Sequence, residues 1–510
     1  MYCDLLVVGG GINGAGIARD AAGRGIKVLL CDQDDLANHT SSASTKLIHG
    51  GLRYIEQYEF TLVRKALKER EVLLALAPHL IRPLRFVMPH DSHLRPAWMI
   101  RAGLFLYDHL SRRRHLAASG SIDLRAHPAG LPLRCGYGRG FVYSDASVDD
   151  ARFVILNAKD AVERGASVFT RTRCERLTPS SEGWSARLVS ESGGSLSVQA
   201  RAVVNAAGPW VGRFLNENSP IRARYTVRLV KGSHIVVRKL FDHPYAYIFQ
   251  NPDGRIIFAV PYEHDFTLIG TTDIEYDGDA RAVSIDAGEI DYLCSMVSRY
   301  FARAVSPADV VMTYAGVRPL LDDESSDPSS ITRDYALELD TTHAPLLSVF
   351  GGKITTFRKL AEEAVGNLAP LLGNTLSAWT SRAPLPGGDI PVDGWDQFVD
   401  TVGGRYPWLP RQLRERYARA YGTRIERLIG DAGSLVDLGE EVLPQLHARE
   451  IQYLCREEWA LTAEDILWRR SKLGLHLAAG SSQRLDAWLA GADSAEMGTV
   501  PISRRYGRKA

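Results

Sequence analysis

The chain has 510 residues, of which 45% are apolar and 24% charged, and its formal net charge is +1. This is the composition of an ordinary soluble protein of about three domains, and it does not support bulk binding of nucleic acid. The six cysteines are scattered without a CxxC pair, so we expect no disulfides and no metal site. Since no apolar stretch approaches the roughly 18 residues of a spanning helix, and the first strand leaves no room for a signal peptide, we expect a cytoplasmic protein.

The first predicted unit is strand, glycine-rich turn, helix and strand. The apolar run Leu5–Val8 leads directly into Gly9-Gly10-Gly11-Ile12-Asn13-Gly14, an alanine-rich helix follows, and a second strand ends at Asp32, 18 residues after Gly14. Such glycines supply a tight turn, close approach to a pyrophosphate and close packing of helix on strand. An acid at this distance can accept hydrogen bonds from a ribose. The segment therefore predicts a dinucleotide site.

The next segments alternate between this α/β unit and other material. Residues 40–54 are dense in small hydroxyl side chains and contain a glycine pair, which suits close approach to a flat ligand. A helix is predicted from about residue 58 to 77, with charged residues between its apolar positions. Residues 78–144 are rich in Pro, His and Arg and interrupt the alternation of strands and helices. We interpret them as the first piece of an inserted domain.

The second half of the chain returns twice to the first unit. A strand over 202–206 runs into Ala207-Gly208, and a strand over 346–350 runs into Gly351-Gly352-Lys353 at a predicted helix start. Between them, residues 213–340 alternate apolar and polar side chains, which predicts an antiparallel sheet. A Pro- and Gly-rich junction at 383–388 precedes a mostly helical tail. No second GxGxxG is present, so a separate nicotinamide site is unsupported.

These motifs together resemble one family of flavoenzymes, the FAD-dependent glycerol-3-phosphate dehydrogenases, over nearly the whole chain. The segments that carry the resemblance are residues 9–14, 41–54, 205–210, 231–234, 270–273, 316–319, 331–334 and 350–353. The resemblance implies FAD in the Gly9 site, although Asp32 stands where Glu is common. It also implies oxidation of sn-glycerol 3-phosphate to dihydroxyacetone phosphate by hydride transfer to flavin N5. The resemblance further implies that electrons pass to membrane quinone, either ubiquinone or menaquinone.

The resemblance sets the expected fold class, which is α/β. A glutathione-reductase-like, Rossmann-type FAD-binding domain is expected over 1–77, 145–212 and 341–380. An inserted antiparallel-sheet domain over 78–144 and 213–340 would bind substrate, and an all-α C-terminal domain would span 389–510.

The same resemblance assigns site residues. The expected cofactor-binding residues are Gly9, Gly10, Gly11, Asn13, Gly14, Asp32, Ser41, Ser42, Ser44, Lys46, His49, Gly50, Ala207, Gly208, Gly351, Gly352, Lys353 and Thr355. The expected substrate-binding residues are Arg53, Tyr54, Thr271, Arg318 and Arg333, because a phosphomonoester dianion needs more than one cation, preferably the planar fork of Arg. The catalytic set is His234 as base, with Arg318 and Lys353. His49 is the rival base, expected instead to position the isoalloxazine loop.

Several alternatives stay open at this point. An oxidase of the same substrate that uses oxygen, an amine or amino-acid oxidase of the same fold, and a non-catalytic FAD scaffold all share the first motif. A quinone lies in the bilayer, so we expect peripheral attachment to the inner face of the cell membrane through the aromatic and basic stretch 98–115 or the basic C-terminus. A homodimer is compatible with the sequence.

Overall fold

The computed structural model describes residues 1–91, 95–251, 253–322 and 334–492. The strands are β1 Tyr2–Val8, β2 Val28–Cys31, β3 Leu47–Ile48, β4 Ile81–Pro89, β5 Gly120–Asp123, β6 Arg139–Val148, β7 Ser167–Phe169, β8 Thr172–Ser180, β9 Gly183–Ser190, β10 Ser195–Asn205, β11 Val227–Arg238, β12 Ala246–Gln250, β13 Ile256–Tyr262, β14 Phe266–Gly270, β15 Ile274–Glu275, β16 Val310–Leu321, β17 Tyr335–Asp340, β18 Leu346–Gly351, β19 Glu441–Leu443 and β20 Leu446–His447. The helices are α1 Ile12–Gly23, α2 Phe60–Leu76, α3 Ala97–His109, α4 Asp150–Glu163, α5 Val211–Asn218, α6 Ala287–Ser298, α7 Phe357–Leu368, α8 Trp395–Arg405, α9 Arg411–Tyr421, α10 Ile425–Ile429, α11 Ala448–Glu458 and α12 Ser481–Gly491.

The first sheet contains the predicted dinucleotide unit. Its strands β18, β10, β1, β2 and β7 are parallel in that order, and β17 pairs antiparallel with β18 at the edge. The apolar faces of α1, α4 and α7 pack on one side of the sheet. The β8–β9 hairpin and α5 share a core with the other side. Because the carboxyl ends of parallel strands meet at one edge, the loops after β1, β10 and β18 lie together there.

The second sheet is antiparallel except where β4 meets β12. Its order is β15-β11-β14-β13-β12-β4-β6-β3, with β16 added on β11 and β5 on β6. Three strands do not follow the predicted domain boundaries. β3 and the end of β6, which were predicted in the FAD-binding domain, belong to this second sheet. β17, which was predicted in the substrate-binding domain, belongs to the first sheet. The long β6 pairs with β4 from Gly140 to Val148, so the chain has no break at 144.

The C-terminal part forms a core of its own from α8 to α12, with the small β19–β20 hairpin at its side. It is joined to the first domain by buried ion pairs. Arg470 Nη2 lies 2.9 Å from Asp35 Oδ1, and Arg152 Nη2 lies 3.0 Å from Glu458 Oε1. The expected fold class, with its inserted antiparallel sheet and helical C-terminal domain, is confirmed. Within the described residues, no helix has the length and apolarity needed to cross a bilayer.

Candidate active site

Two cavities meet at the carboxyl edge of the parallel sheet. The large cavity, of about 710 Å³, lies along β2 and reaches Asp32, His39 and Trp210. The small cavity, of about 310 Å³, extends towards the antiparallel sheet and reaches Arg318 and Lys353. Six residues line both: Gly11, Thr40, Ser41, Ala206, Gly208 and Pro209. The two cavities therefore form one elongated site.

The glycine turn after β1 forms the floor at this junction. Gly9 has φ +110°, and a Cβ placed there would lie 2.3 Å from the Ala206 carbonyl oxygen. A Cβ on Gly14 would lie 1.8 Å from the Gly9 carbonyl oxygen. The first turn of α1 has no acidic residue, and the Ile12 N–H donates to Ser41 Oγ at 3.0 Å. Gly11, which directly precedes α1, lines both cavities, so the positive end of α1 lies at the junction, where it suits a pyrophosphate.

Asp32 lies at the inner wall of the large cavity. Its Oδ2 accepts from the Gly10 N–H at 2.5 Å, and its Oδ1 accepts from the Asp34 N–H at 2.8 Å. Burial raises the pKa of the Asp32 carboxyl to about 6, against the opposing effect of these two hydrogen bonds. Each carboxylate oxygen has a second lone pair, so Asp32 can still accept hydrogen bonds from ribose hydroxyls.

An ion-pair cluster lies at the rim of the large cavity. Asp34 contacts His39 Nε2 at 2.8 Å and Arg281 Nη2 at 3.1 Å, and the His39 ring packs edge-on against Trp210. Burial alone would raise the pKa of Asp34, but His39 and Arg281 hold it below its ordinary value. Arg281 comes from the inserted domain, so both domains contribute to this rim.

Two glycine-pair loops form one wall of the small cavity. They are the loop His49–Gly51 and the segment Gly351–Lys353, and they meet where the His49 N–H approaches Thr355 Oγ1 at 3.4 Å. Asn13 Nδ2 donates to the Gly351 carbonyl at 3.1 Å, whereas its buried Oδ1 has no hydrogen-bond partner among the described residues. This acceptor is available to a bound ligand.

The opposite end of the small cavity is cationic. Arg318 on β16 donates from Nη1 to Asp273 Oδ1 at 2.5 Å and from Nη2 to Thr271 Oγ1 at 3.0 Å. A Cβ on Gly232 would lie 2.4 Å from Arg318 Nη2, so this glycine leaves room for the guanidinium. Lys353 Nζ lies 4.2 Å from the centre of the Tyr54 ring. Arg53 also lines the cavity, and its remaining wall is apolar, with Phe86, Ile248 and Phe258.

The two histidines considered as bases have different positions. His234 on β11 is completely buried, lines neither cavity, and contacts Thr45 Oγ1 through Nε2 at 3.0 Å. Its ring stacks on Tyr314 at 4.7 Å between centres. Burial first, and then Arg318 and Lys46, hold the pKa of His234 well below its ordinary value. His49 is the one histidine that lines the small cavity within the described residues.

Most of the predicted site residues line one or both cavities. They are Gly9, Gly11, Asn13, Asp32, Ser41, Ser44, His49, Arg53, Tyr54, Ala207, Gly208, Thr271, Arg318, Gly351, Gly352, Lys353 and Thr355. Residues from both sheets are thus brought to one place. Arg333 lies outside the described residues.

The other predicted residues line neither of these two cavities, although Ser42 and Lys46 line a neighbouring cavity of about 670 Å³. They are Gly10, Gly14, Ser42, Lys46, Gly50 and His234. Lys46 Nζ lies 2.9 Å from both carboxylate oxygens of Asp150 and donates to the Ser42 carbonyl, so its charge is used at the start of α4. Ser42 Oγ bonds the His39 carbonyl at 3.2 Å. In this structure these residues hold the walls in place.

Many lining residues were not assigned from sequence, and His39, Asp145, Asp273 and Arg281 are four of them with ionisable side chains. Asp273 follows Thr271 in the segment 270–273 that carries the resemblance, so that motif held a usable signal. The other three reach the cavities from separate parts of the chain and had no local signal. Within the described ranges, no three His, Cys, Asp or Glu side chains come together as a metal site requires.

Comparison with known proteins assigns this arrangement to a family. Residues 4–358 match the FAD dependent oxidoreductase family, and residues 378–490 match the C-terminal domain of alpha-glycerophosphate oxidase. The chain belongs to the FAD-dependent oxidoreductase family. FAD is therefore its cofactor, and the glycine turn, Asp32 and the unpartnered Asn13 oxygen all fit that group.

Relatives of this flavoprotein carry two different substrate names. The chain is 55% identical to a glycerol-3-phosphate dehydrogenase of Pseudomonas aeruginosa over 488 residues, covering 95% of this chain and 94% of the relative. It is 50% identical to a D-erythritol 1-phosphate dehydrogenase of Brucella abortus, covering 95% and 97%. The solved structure of the Bacillus halodurans glycerol-3-phosphate dehydrogenase complexed with FAD matches with a TM-score of 0.75 and 26% identity, covering 98% and 96%.

Proposed function

We propose that this flavoprotein oxidises sn-glycerol 3-phosphate to dihydroxyacetone phosphate. The observation that carries the proposal is Arg318, held by Thr271 and Asp273 beside the two glycine-pair loops. A planar guanidinium fixed by two partners suits bidentate contact with a phosphate. Arg53 and Lys353 line the same cavity and supply further positive charge. Arg333 stays a predicted phosphate contact.

FAD would extend through both cavities. Asp32 would accept from the ribose, the α1 N-terminus with Gly9 and Gly11 would face the pyrophosphate, and the small cavity would hold the ring. When bound, FAD accepts the hydride that leaves the carbinol carbon. Lys353 and the apolar wall would then confine the substrate against the ring face and exclude water.

The hydroxyl proton must leave as the carbinol is oxidised, and the geometry favours His49 as its acceptor. His49 lines the small cavity beside Thr355, whereas His234 is one layer deeper. His234 contacts the Thr45 hydroxyl, which does line the cavity, and would act through it. We therefore propose His49 as the direct base and His234 as the group that positions Thr45.

D-erythritol 1-phosphate is a second candidate substrate, because the relative named D-erythritol 1-phosphate dehydrogenase is 50% identical over 95% of this chain. Both compounds present a phosphomonoester near an oxidisable hydroxyl. The charged end of the small cavity suits the phosphate of both compounds. The preference between them therefore depends on the length of the substrate that the cavity accepts.

The test is anaerobic mixing of the purified holoprotein with each phosphate while the flavin absorbance is followed. We expect glycerol 3-phosphate to bleach the flavin, with a larger kcat/KM than D-erythritol 1-phosphate. A larger kcat/KM for D-erythritol 1-phosphate would make that compound the preferred substrate. If neither phosphate bleached the flavin, the proposal would be overturned. An amino acid that bleached the flavin would favour the amine or amino-acid oxidase alternative.

We also propose quinone as the electron acceptor. The support is the family resemblance of the motifs, and the competing acceptor is oxygen. After anaerobic reduction, a soluble quinone should restore the absorbance at least about tenfold faster than air-saturated buffer, which corresponds to a barrier difference of about 1.4 kcal/mol. Faster reoxidation by oxygen would make the protein an oxidase.

Helix α3 is the proposed membrane contact. Trp98, Ala102, Phe105 and His109 are exposed at helical spacing along its outer face, and Trp98 and Phe105 are 70% and 57% exposed. The exposed Arg112 and Arg114 follow its end. An apolar stripe beside cations suits an anionic bilayer surface, which would be the inner face of the cell membrane. The basic C-terminus, the other predicted membrane contact, lies outside the described residues. The homodimer also stays a prediction.

Vesicle flotation tests this contact. We expect binding to vesicles that contain phosphatidylglycerol, weaker binding to phosphatidylcholine alone, and loss of binding for the double variant Trp98→Ala/Phe105→Ala. Leu376→Ala removes a side chain of comparable exposure, 57%, at a distant site and should bind normally. Unchanged binding of the double variant would exclude α3.

A further inference from the structure

Helix α2 has two adjacent charged residues, Glu69 and Arg70, on its buried side. They are 4% and 2% exposed, and neither lines a cavity. Replacing a buried ion pair by apolar side chains is often neutral or stabilising. We therefore ask what these two residues hold in place. Each of them leads to a different loop of the small cavity.

Arg70 supports the loop that contains His49. Its Nη1 donates to Asp145 Oδ1 at 2.5 Å and to the Ser144 carbonyl at 2.8 Å. The Tyr107 hydroxyl donates to Asp145 at 2.8 Å and accepts from the Gly50 N–H at 2.9 Å. A Cβ on Gly50 would lie 2.5 Å from the Tyr107 oxygen, so the loop lies directly on this hydroxyl. The chain from Arg70 thus ends one residue from His49.

Glu69 supports the other loop. Its carboxylate accepts from Arg358 Nη2 at 2.6 Å and from Arg358 Nε at 2.7 Å, which is a two-point contact. Arg358 is in the first turn of α7, directly after the segment that contains Lys353 and Thr355. Arg358 Nη1 also donates to Thr380 Oγ1 at 3.2 Å. The start of α7 is thereby held to the same helix that holds the His49 loop.

We propose that Glu69, Arg70 and Tyr107 are positioning residues for the oxidation step. They set the separation of the His49–Gly51 loop from the Gly351–Thr355 segment, and thereby the orientation of His49 and Lys353 towards flavin and substrate. None of the three lines either cavity. The inference rests on the proposed function, because it assumes that His49 acts on the substrate hydroxyl.

The test compares Tyr107→Phe and Arg70→Met with wild-type holoprotein by anaerobic stopped-flow reduction over a range of substrate concentrations. We expect normal FAD content, a substrate dissociation constant within about twofold of wild type, and a limiting reduction rate lower by at least about tenfold. Arg70→Lys should recover part of the rate lost in Arg70→Met, since it keeps the charge. The matched control is Tyr247→Phe, a buried tyrosine whose hydroxyl donates to the Ala129 carbonyl at 2.6 Å, and it should reduce normally.

An unchanged limiting rate in Tyr107→Phe with intact FAD would overturn the inference. So would an equal rate loss in Tyr247→Phe, because the effect would then be general destabilisation. If Arg70→Met does not fold, Tyr107→Phe decides alone. Failure of the proposed function is distinct from these outcomes, since it shows as absence of bleaching in the wild-type protein.

Discussion

The large and small cavities are built in different ways. The inner wall of the large cavity includes the stretch from Val8 to Ser41, in which β1 pairs with β2, and residues 171–174, 189–191 and 206–210 also line the cavity. The small cavity combines residues 49–54 with 271–273, 316–319 and 351–355, from both sheets. The glycine turn and Asp32, expected to bind the cofactor, are therefore encoded within one βαβ unit, whereas the small cavity depends on long-range packing. Substitutions should act on FAD binding at the first region and on turnover at the second.

The largest effect is expected at the glycine turn. Gly14→Ala places a methyl group 1.8 Å from the Gly9 carbonyl oxygen, so the turn must open. We expect a loss of about 3 kcal/mol or more in stability and protein without FAD. Absorbance of bound flavin and thermal unfolding report both. Gly366→Ala in α7 meets no atom within 4 Å and should keep FAD, with stability unchanged or raised by up to about 1 kcal/mol. A yellow, stable Gly14→Ala protein would contradict the account.

In the small cavity the opposite pattern is expected. Arg318→Ala should leave FAD content normal and raise the substrate dissociation constant about 100-fold, because two charge-assisted contacts to phosphate are lost. Equilibrium titration of the flavin spectrum measures this. Arg228→Ala on the adjacent β11 is the control, since Arg228 pairs with the exposed Glu275 at 2.8 Å and lines neither cavity. Protein that lost its FAD on Arg318→Ala would show that the two regions are not separable.

The two histidines sharpen the comparison within the small cavity. His49→Asn should lower the limiting rate of flavin reduction about 100-fold, as expected for loss of a general base. His234→Asn should lower it by less than about tenfold, since its contact is with Thr45 and not with the cavity. Stopped-flow reduction at saturating substrate separates the two. A larger loss in His234→Asn would restore His234 as the base.

The positions of these residues show which parts of the site could be predicted from the sequence. Gly9, Gly14 and Asp32 were predictable because their partners are in the same βαβ unit. The burial of His234 was not, since it depends on Thr45 and Tyr314, which are distant in sequence. The charged positions of α2 likewise gave no sign that Glu69 and Arg70 are buried, because their partners Arg358 and Asp145 come from other elements.

The smallest effect is expected from Asp32 as pH falls. Burial raises its pKa to about 6 in the protein without FAD, and ribose contacts favour the ionised form. Below that pH the carboxyl must lose a proton when FAD binds, so affinity should fall by up to about tenfold per pH unit on acidification. Quenching of FAD fluorescence at several pH values measures this. Asp32→Asn should bind more weakly and show a flatter profile, and an equally steep profile would assign the titration to another group.

The central claim is that one elongated site holds FAD and presents the substrate phosphate to Arg318. A crystal structure of the holoprotein soaked with glycerol 3-phosphate tests it most directly. The account predicts the phosphate on the Arg318 guanidinium and the carbinol between His49 and the flavin ring. A phosphate bound away from Arg318, or a carbinol out of reach of the ring, would contradict it.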